Sequence, residues 1–265
     1  MLEQTKINGV CCSRSKGLAT TLAELTAGEA EPISLRDYAR FGFGSKDFWS
    51  FPGGIVREGI IVVPGEKTLL VRDSPLIDLR VAEQYDKAFL DRKCAIEAQI
   101  EAEFPKGKSM SSEEFERKTE LRYSVDRFAF PINPKPYLEI ASQDKDKKPE
   151  ERRVLDIDYS KLGNKQGYDG MRFMHFKNLA KEEIFRWSFR DLAPEWAKYL
   201  YKGFGSGKHE QDYVVLIGGE ELKGLFGDTP FIAPFWYSAP EKGEFGFKTG
   251  DKVYRTGFLG KMKGE

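Results

Sequence analysis

The sequence predicts an α+β fold in which a mixed central sheet is flanked by helices. Three segments indicate it: two β-rich runs around a turn in 54–72, helical periodicity in 81–104, and a continuous apolar run in 212–217. The predicted order of the core elements is α-β-β-(β)-α-β, where the bracketed strand is a short segment at 154–159. A hairpin region precedes this core, and a tail rich in glycine and aromatic residues follows it.

The N-terminal region contains a predicted helix at 18–25 and a predicted β-hairpin at 54–72. Pro64 and Gly65 lie between the two β-rich runs of the hairpin, and this dipeptide is typical of a turn between strands. The chain divides into three predicted regions, which are the N-terminal region at 1–75, an α/β core at 76–219, and a β-rich or irregular tail at 220–265.

The segment 81–104 has the apolar periodicity of a helix. Its apolar residues fall on one helical face with charged residues between them, and Pro105 ends the run. Ser111 then precedes Glu113 and Glu114, and an N-cap serine ahead of acidic residues predicts the start of a short helix. The residues of the apolar face are Tyr85, Phe89, Ile96, Ile100 and Phe104.

Two strands are predicted next, at 121–130 and 137–142, because both runs consist largely of apolar and aromatic residues. The segment 131–136 joins them. Its three prolines exclude a helix interior and favour a turn. The two strands are therefore expected to be neighbours in the sheet.

A long helical region is predicted at 176–201, and Pro194 marks the point where a helix restarts within it. The apolar run 212–217 is followed by Gly218 and Gly219. A continuous apolar run of this length, bounded by glycine, predicts a strand that is buried on both faces.

The charge composition excludes one class of protein. The chain has 42 basic and 42 acidic residues among 265, so its formal net charge is zero. A histone-like protein that binds nucleic acid with its whole surface is therefore excluded. The charges are nevertheless separated along the chain, since 171–208 has eight basic and four acidic residues, whereas 76–120 has eight basic and eleven acidic residues. This separation leaves room for a one-sided basic cleft.

Cysteine usage and apolar runs predict the compartment. Cys11, Cys12 and Cys94 form an odd and sparse set, which indicates a reducing intracellular compartment such as the cytoplasm. No apolar run approaches the roughly 18 residues that a membrane span needs, so no membrane partner is predicted. The N-terminal residues also lack the apolar stretch of a signal peptide.

Asp126 and Glu139 are the candidate catalytic and metal-binding residues. Each is an acidic residue in one of the two predicted neighbouring strands. A hairpin would bring the two carboxylates together at the end of the sheet, where they and water could hold Mg²⁺ and leave ligand positions for a substrate phosphate. Glu101, on the preceding predicted helix, could supply a third carboxylate to the metal.

This layout of a helix with a glutamate, a strand with an aspartate, a turn and a strand with a glutamate resembles the PD-(D/E)xK nucleases. The resemblance covers residues 80–218. It implies metal-dependent cleavage of DNA or RNA phosphodiester bonds, with Asp126 and Glu139 on the metal. The lysine of the family motif falls at Ala141, so Lys145 or Lys147 would have to assist the attacking water.

The basic residues of 171–208 are candidate contacts to nucleic acid. They are interleaved with Trp187 and Trp196, and basic side chains beside aromatic ones are typical of phosphate-binding surfaces. The same pattern also fits a solvated helix face with the tryptophans in the core. The candidate residues are Lys177, Lys181, Arg186, Arg190 and Lys208.

Two alternatives to the nuclease remain open. The order of elements also resembles the major capsid proteins of tailed phages, in which the hairpin 54–72 would be the extended loop and the helix 81–104 the spine helix. The protein would then be a structural subunit of a capsid shell. The second alternative is a non-catalytic nucleic-acid-binding subunit of a larger complex. Both alternatives imply a homo-oligomer or a larger assembly.

Overall fold

A computed structural model of the chain confirms the α+β class, because helices and strands are mixed along its length and the strands join in one mixed sheet. The elements below are those of the described residues. These are residues 10–13, 17–43, 53–107, 109–126, 128–158, 163–165, 168–202, 212–216, 227–237, 244–247, 253 and 257–263.

The helices of the described residues include all those predicted before residue 121. They are α1 Leu18–Ala27, α2 Leu35–Gly42, α3 Leu79–Glu103, α4 Ser112–Asp126, α5 Lys135–Asp144, α6 Glu183–Phe189 and α7 Ala193–Leu200. The predicted helical region at 176–201 is confirmed as a 3₁₀ turn at Phe176–Lys181 followed by α6 and α7, with Pro194 in the first turn of α7. Within the described residues, no helix combines the length and the apolar character that crossing a membrane requires.

Twelve strands of the described residues form one sheet. They are β1 Val10–Ser13, β2 Ala30–Pro32, β3 Gly54–Val63, β4 Lys67–Val71, β5 Phe130–Pro131, β6 Val154–Asp158, β7 Gly163–Lys165, β8 Tyr168–His175, β9 Asp212–Leu216, β10 Phe231–Tyr237, β11 Glu244–Phe247 and β12 Phe258–Met262. The strands predicted at 154–159 and 212–217 are thereby confirmed as β6 and β9, and the described residues after position 220 include β10, β11 and β12.

The sheet branches at β3, its ten-residue central strand. β10 pairs antiparallel along one edge of β3, while the other edge pairs with β12 at Ile55 and with β4 from Gly59 onward. The main strand order is β1-β12-β3-β10-β11-β9-β8-β7, and β6 continues the branch beyond β4. The predicted N-terminal region, core and tail therefore all contribute strands to one sheet.

The predicted hairpin is confirmed as β3 and β4. Its loop contains Gly65 with a φ of 74°, a left-handed conformation that glycine adopts without strain, and the N–H of Glu66 donates to the carbonyl of Val63 at 3.1 Å. The capsid resemblance assigned this hairpin to an extended loop. That assignment is wrong, because β3 lies between β10 and β4 and β4 lies between β3 and β6.

The strand predicted at 121–130 is wrong over most of its length, because α4 continues through Asp126. The predicted cap is present: the N–H of Glu114 donates to the Ser111 hydroxyl at 3.2 Å, and the N–H of Ser111 donates to the Glu114 carboxylate at 2.8 Å. The helix that begins at this capping box is α4, and its 15 residues make it longer than the short helix that was predicted. Only Phe130 and Pro131 form a strand, the short β5.

The strand predicted at 137–142 is also wrong, because these residues belong to α5. Of the three prolines that were interpreted as a turn, Pro131 lies in β5, whereas Pro134 and Pro136 lie at the start of α5, where a missing N–H costs no hydrogen bond. The Asn133 side chain accepts from the N–H of Lys135 at 3.1 Å. Ala141 and Asp144 are buried on the inner face of α5, three residues apart. Short apolar runs do not distinguish a strand from a helix.

The core lies on both faces of the sheet. Val56 and Ile60 of β3 belong to the cluster covered by α2, α6 and α7, whereas Ile55 and Ile61 belong to the cluster covered by α1, α3 and α5. Every residue of β3 except Arg57 is buried. The protein therefore has three layers, and β3 reads as a nearly continuous apolar run because both of its faces are covered.

Replacement of Ile60 by alanine tests the central role of β3. Ile60 is fully buried, so Ile60→Ala should lower the free energy of unfolding by about 2–5 kcal/mol. The matched control is Leu90→Ala on α3, where the side chain is 52% exposed and the expected change is within about 0.5 kcal/mol. Urea unfolding followed by circular dichroism measures both, and equal effects would contradict the layer assignment.

Candidate functional site

The candidate functional site begins at Glu58, an acidic residue inside the apolar strand β3. Its side chain lies on the same face as Val56 and Ile60 and is only 2% exposed. Both carboxylate oxygens accept hydrogen bonds from the backbone N–H of Leu35, at 3.0 and 3.2 Å. Leu35 is the first residue of α2, so the carboxylate lies at the positive end of this helix.

Burial raises the pKa of Glu58 from 4.5 to about 7. The removal of the carboxylate from water is the largest cause, and it outweighs the hydrogen bonds from the backbone of Glu58 and Leu35 and the positive charges of Arg72 and Arg190. A carboxyl group with this pKa gains and loses a proton near neutral pH. Glu58 can therefore act as a proton donor or acceptor.

Arg72 is placed opposite Glu58 by the register of β3 and β4, in which Gly59 pairs with Val71. Its guanidinium donates to the backbone carbonyls of Arg152 at 2.6 Å, Glu150 at 2.8 Å and Trp187 at 2.9 Å. Its central carbon also lies 4.8 Å from the centroid of the Trp187 ring, a cation–π contact. One side chain thereby joins the sheet to two segments of the covering layer.

The pKa of Arg72 is lowered to about 10, mainly by burial and then by the positive charge of Arg190. The negative charges of Glu58, Asp73 and Asp144 oppose this shift. Arg72 nevertheless remains protonated at neutral pH. It supplies a permanent positive charge beside a carboxyl group whose own charge varies.

Arg190 connects α6 to the following turn in a strained backbone conformation. Its φ of 53° and ψ of −127° are those of the first central residue of a type II′ turn, which is normally glycine. Its Nε is buried and has no hydrogen-bond partner among the residues that the structure describes. The Nε1 of Trp187, three residues earlier, is also buried without a partner. We call Glu58, Arg72, Trp187 and Arg190 the Glu58–Arg190 centre.

Several other arginines near this centre form ion pairs with carboxylates. Within the described part of the chain, Arg190 itself has neither an ion pair nor a side-chain hydrogen bond. These ion pairs are Arg36–Asp191 at 2.7 Å, Arg57–Asp73 at 2.5 Å, Arg152–Glu183 at 2.6 Å and Arg186–Glu150 at 2.7 Å. Local acids therefore do not neutralise Arg190, and its N–H groups can donate to an added oxyanion.

Asp126 and Glu139 lie on two different helices, so the hairpin that was expected to bring their carboxylates together does not exist. Asp126 is the last residue of α4, and Glu139 is an exposed residue of α5. Glu101, the predicted third ligand, is exposed on α3 and lines a cleft between α3 and α4. Among the described residues, no group of three or more His, Cys, Asp or Glu side chains could hold a metal.

Lys145 and Lys147 were predicted to assist the attacking water. The structure shows an ion pair for the Lys147 side chain and a hydrogen bond for the Lys145 backbone. Lys147 pairs with Asp144 at 2.8 Å, and the backbone carbonyl of Lys145 accepts from Arg152 at 2.8 Å. Asp144 is fully buried, and hydrogen bonds from Arg153 and Lys147 hold its pKa well below the usual range. Ala141, which replaces the motif lysine, is buried on the inner face of α5. These contacts fasten α5 to β6.

The predicted nucleic-acid residues are divided among different environments. Lys181 is exposed at the end of the 3₁₀ turn that also contains Lys177. Arg186 is used in a two-oxygen contact with Glu150. Arg190 belongs to the Glu58–Arg190 centre, and Lys208 lies outside the described residues.

Sequence reasoning missed Glu58 and Arg72, although a signal for Glu58 existed. An acidic residue within an apolar strand was the pattern used to select Asp126 and Glu139, and Glu58 has this pattern in the hairpin strand that was predicted correctly. Arg72 follows directly after its partner strand. The register of the hairpin would have placed the two residues opposite each other.

Glu58 should make stability depend on pH. Between pH 4.5 and about 7 the folded protein retains the Glu58 proton and the unfolded chain has lost it, so the free energy of unfolding should fall as pH rises through this interval. The full effect is about 3 kcal/mol. Urea unfolding of the wild type and Glu58→Gln at several pH values measures it. The difference between the two proteins should grow with pH, and parallel profiles would contradict the assignment.

Arg72 should matter far more for stability than its neighbour Arg57. Arg72→Ala removes the donors from three partly buried backbone carbonyls and should lower the free energy of unfolding by about 3 kcal/mol or more. Arg57→Ala removes an exposed pair with Asp73, and its cost should stay under about 1 kcal/mol. Thermal and urea unfolding compare the two variants. A similar cost for both would show that the carbonyl contacts contribute little.

Comparison of the chain with protein-family models, with curated proteins and with solved structures finds no match. The function is therefore argued from the geometry of the Glu58–Arg190 centre.

Proposed function

We propose that the protein binds a small ligand through an oxyanion group, a carboxylate or a phosphate, at the Glu58–Arg190 centre, and that binding is coupled to protonation of Glu58. The observation that carries this proposal is Arg190. It has a strained backbone, a buried Nε without a partner, and no carboxylate of its own among the described residues.

The cost of keeping Arg190 argues for a ligand. A non-glycine residue in such a backbone conformation costs about 1–3 kcal/mol, and a buried N–H without a partner costs about 1–3 kcal/mol more. Glycine at this position would avoid both costs. The planar guanidinium presents N–H groups in a fork that matches the two oxygens of a carboxylate or phosphate. An oxyanion on Arg190 would satisfy the group that the protein leaves without a partner.

The protonation state of Glu58 would change the affinity of this centre for an anion. Its ionised carboxylate would repel a second anion in the same buried region, whereas the protonated form would not. Because its pKa is about 7, both forms are populated near neutral pH. The affinity for an oxyanion should therefore increase as the pH falls through this value.

The surrounding charges favour a small anion over a nucleic acid. Arg36, Arg152 and Arg186 are each neutralised by a carboxylate, so a row of free cations that could follow a phosphate backbone is lacking among these side chains. Nucleic-acid binding, Mg²⁺-dependent cleavage at Asp126 and Glu139, and a capsid role remain predictions.

Arg190→Gly tests the proposal while relieving strain. Isothermal titration calorimetry with sulfate should show binding to the wild type and a loss of affinity of at least about tenfold in the variant, because one charged hydrogen-bonding group contributes about 1.5–3 kcal/mol. The melting temperature of Arg190→Gly should be equal to or higher than that of the wild type. Arg57→Ala is the matched control and should bind sulfate normally. Unchanged affinity in Arg190→Gly would overturn the proposal.

The proton coupling is tested by measuring the same affinity across neutral pH. Sulfate keeps its charge between about pH 6 and pH 8, so a change of affinity reports on the protein. The wild type should bind more tightly at the lower pH, whereas Glu58→Gln should show little dependence. If a short oligonucleotide displaces sulfate and binds with higher affinity, the ligand of this centre is a nucleic acid and not a small anion.

A further inference from the structure

Helix α3 extends from the packed body into a much less buried arm. Ala82, Tyr85 and Phe89, in its first half, are buried against the core, but residues 90–99 include no buried side chain. Ile100 is the next buried residue. The second half of this 25-residue helix is accompanied by α4, and we call this helical hairpin the α3–α4 arm.

Helix α4 has little burial of its own. None of its side chains that the structure describes is buried, although the helix has 15 residues. It is held to α3 near the turn by an ion pair between Arg117 and Glu103 at 3.0 Å and by the Lys118 ammonium, 5.8 Å from the centroid of the Phe104 ring. Most helices of this length gain their stability from an apolar face packed against neighbours.

A cleft of about 420 Å³ separates the two helices. Its apolar lining comes from both of them, with Ile100 and Phe104 on α3 and Val125 on α4. The α4 residues that line it continue the spacing of three and four back to Phe115, which is 61% exposed. This row on α4 is apolar at its two ends and cationic at Lys118 and Arg122. A groove between two helices with an apolar floor and charged residues along it is the kind of surface that binds an amphipathic helix.

The lining of the cleft carries a positive charge. Four cationic side chains line it against the two carboxylates of Glu97 and Glu101. None of these cations takes part in an ion pair within the described part of the chain, although the protein as a whole has no net charge. The four are Lys93, Lys106, Lys118 and Arg122.

We propose that the α3–α4 cleft binds an amphipathic α-helix of a partner protein, one whose apolar stripe is flanked by acidic residues. The apolar stripe would contact Ile100, Phe104 and Val125, and the acidic residues would pair with the cations on the lining, which have no ion pair among the described residues. A nucleic acid fits this surface poorly, because its lining includes two carboxylates and an apolar floor. This proposal does not depend on the function proposed for the Glu58–Arg190 centre.

Synthetic helices test this proposal directly. The first probe is a peptide of about three heptads with leucine at a and d and glutamate at e and g, and the second has lysine in place of each glutamate. Fluorescence anisotropy with the whole chain should show at least tenfold tighter binding of the glutamate peptide. Equal binding of the two peptides, or binding of neither, would overturn the proposal.

Charge reversal on the arm locates the binding site. The variant Lys118→Glu/Arg122→Glu should lose at least tenfold in affinity for the glutamate peptide and should gain affinity for the lysine peptide. The matched control is Arg92→Glu, an exposed residue of α3 that does not line the cleft, and it should leave both affinities within about twofold. Unchanged peptide preference in the double variant would overturn the proposal. Circular dichroism verifies that the variant is folded, because Lys118 is half-buried and contacts the Phe104 ring.

Two further probes distinguish the other occupants. If the cleft instead takes an oligonucleotide or an anionic vesicle, that probe will bind the wild type, bind the double variant less well and displace the glutamate peptide. This result would overturn the proposal of a helical partner. Absence of such competition supports the helical partner.

Discussion

Burial of β3 on both faces is the constraint on which the rest of the structure depends. A strand between two helical layers must be apolar, or its polar groups must find partners inside the protein. Glu58 is the exception on this strand, and the first N–H of α2 supplies its partner. This contact therefore joins the buried carboxyl group to the start of α2.

The same constraint explains why Arg190 has no ion pair or side-chain hydrogen bond among the described residues. Carbonyl groups of the turn at Pro149–Glu151 and of α6 point into the region beside the sheet, and the guanidinium of Arg72 satisfies them. The nearby acids are used elsewhere, Asp191 by Arg36 and Glu150 by Arg186. Arg190 therefore has no carboxylate partner among the described residues. Its backbone has a conformation that glycine would adopt with less strain.

The two proposed sites reflect two environments of one chain. In the body, the carboxyl group of Glu58 is almost fully buried, so a change in its protonation has a large electrostatic effect. On the α3–α4 arm, four cations without an ion pair among the described residues line a cleft together with Ile100, Phe104 and Val125. The first environment suits a small anion, and the second suits a large amphipathic surface. Helix α3 connects them, since its first half packs in the core and its second half forms the arm.

The sequence by itself determined the features that depend on residues close together in the chain. The loop at Gly65, the serine cap at Ser111 and the apolar period of α3 are local, and they were predicted correctly. Only the tertiary structure decided that 121–126 and 137–142 are helical, because short apolar runs fit either structure. It also decided the site. Glu58 acquires its pKa from layers that arrive from distant parts of the chain, and burial is a property of that assembled whole.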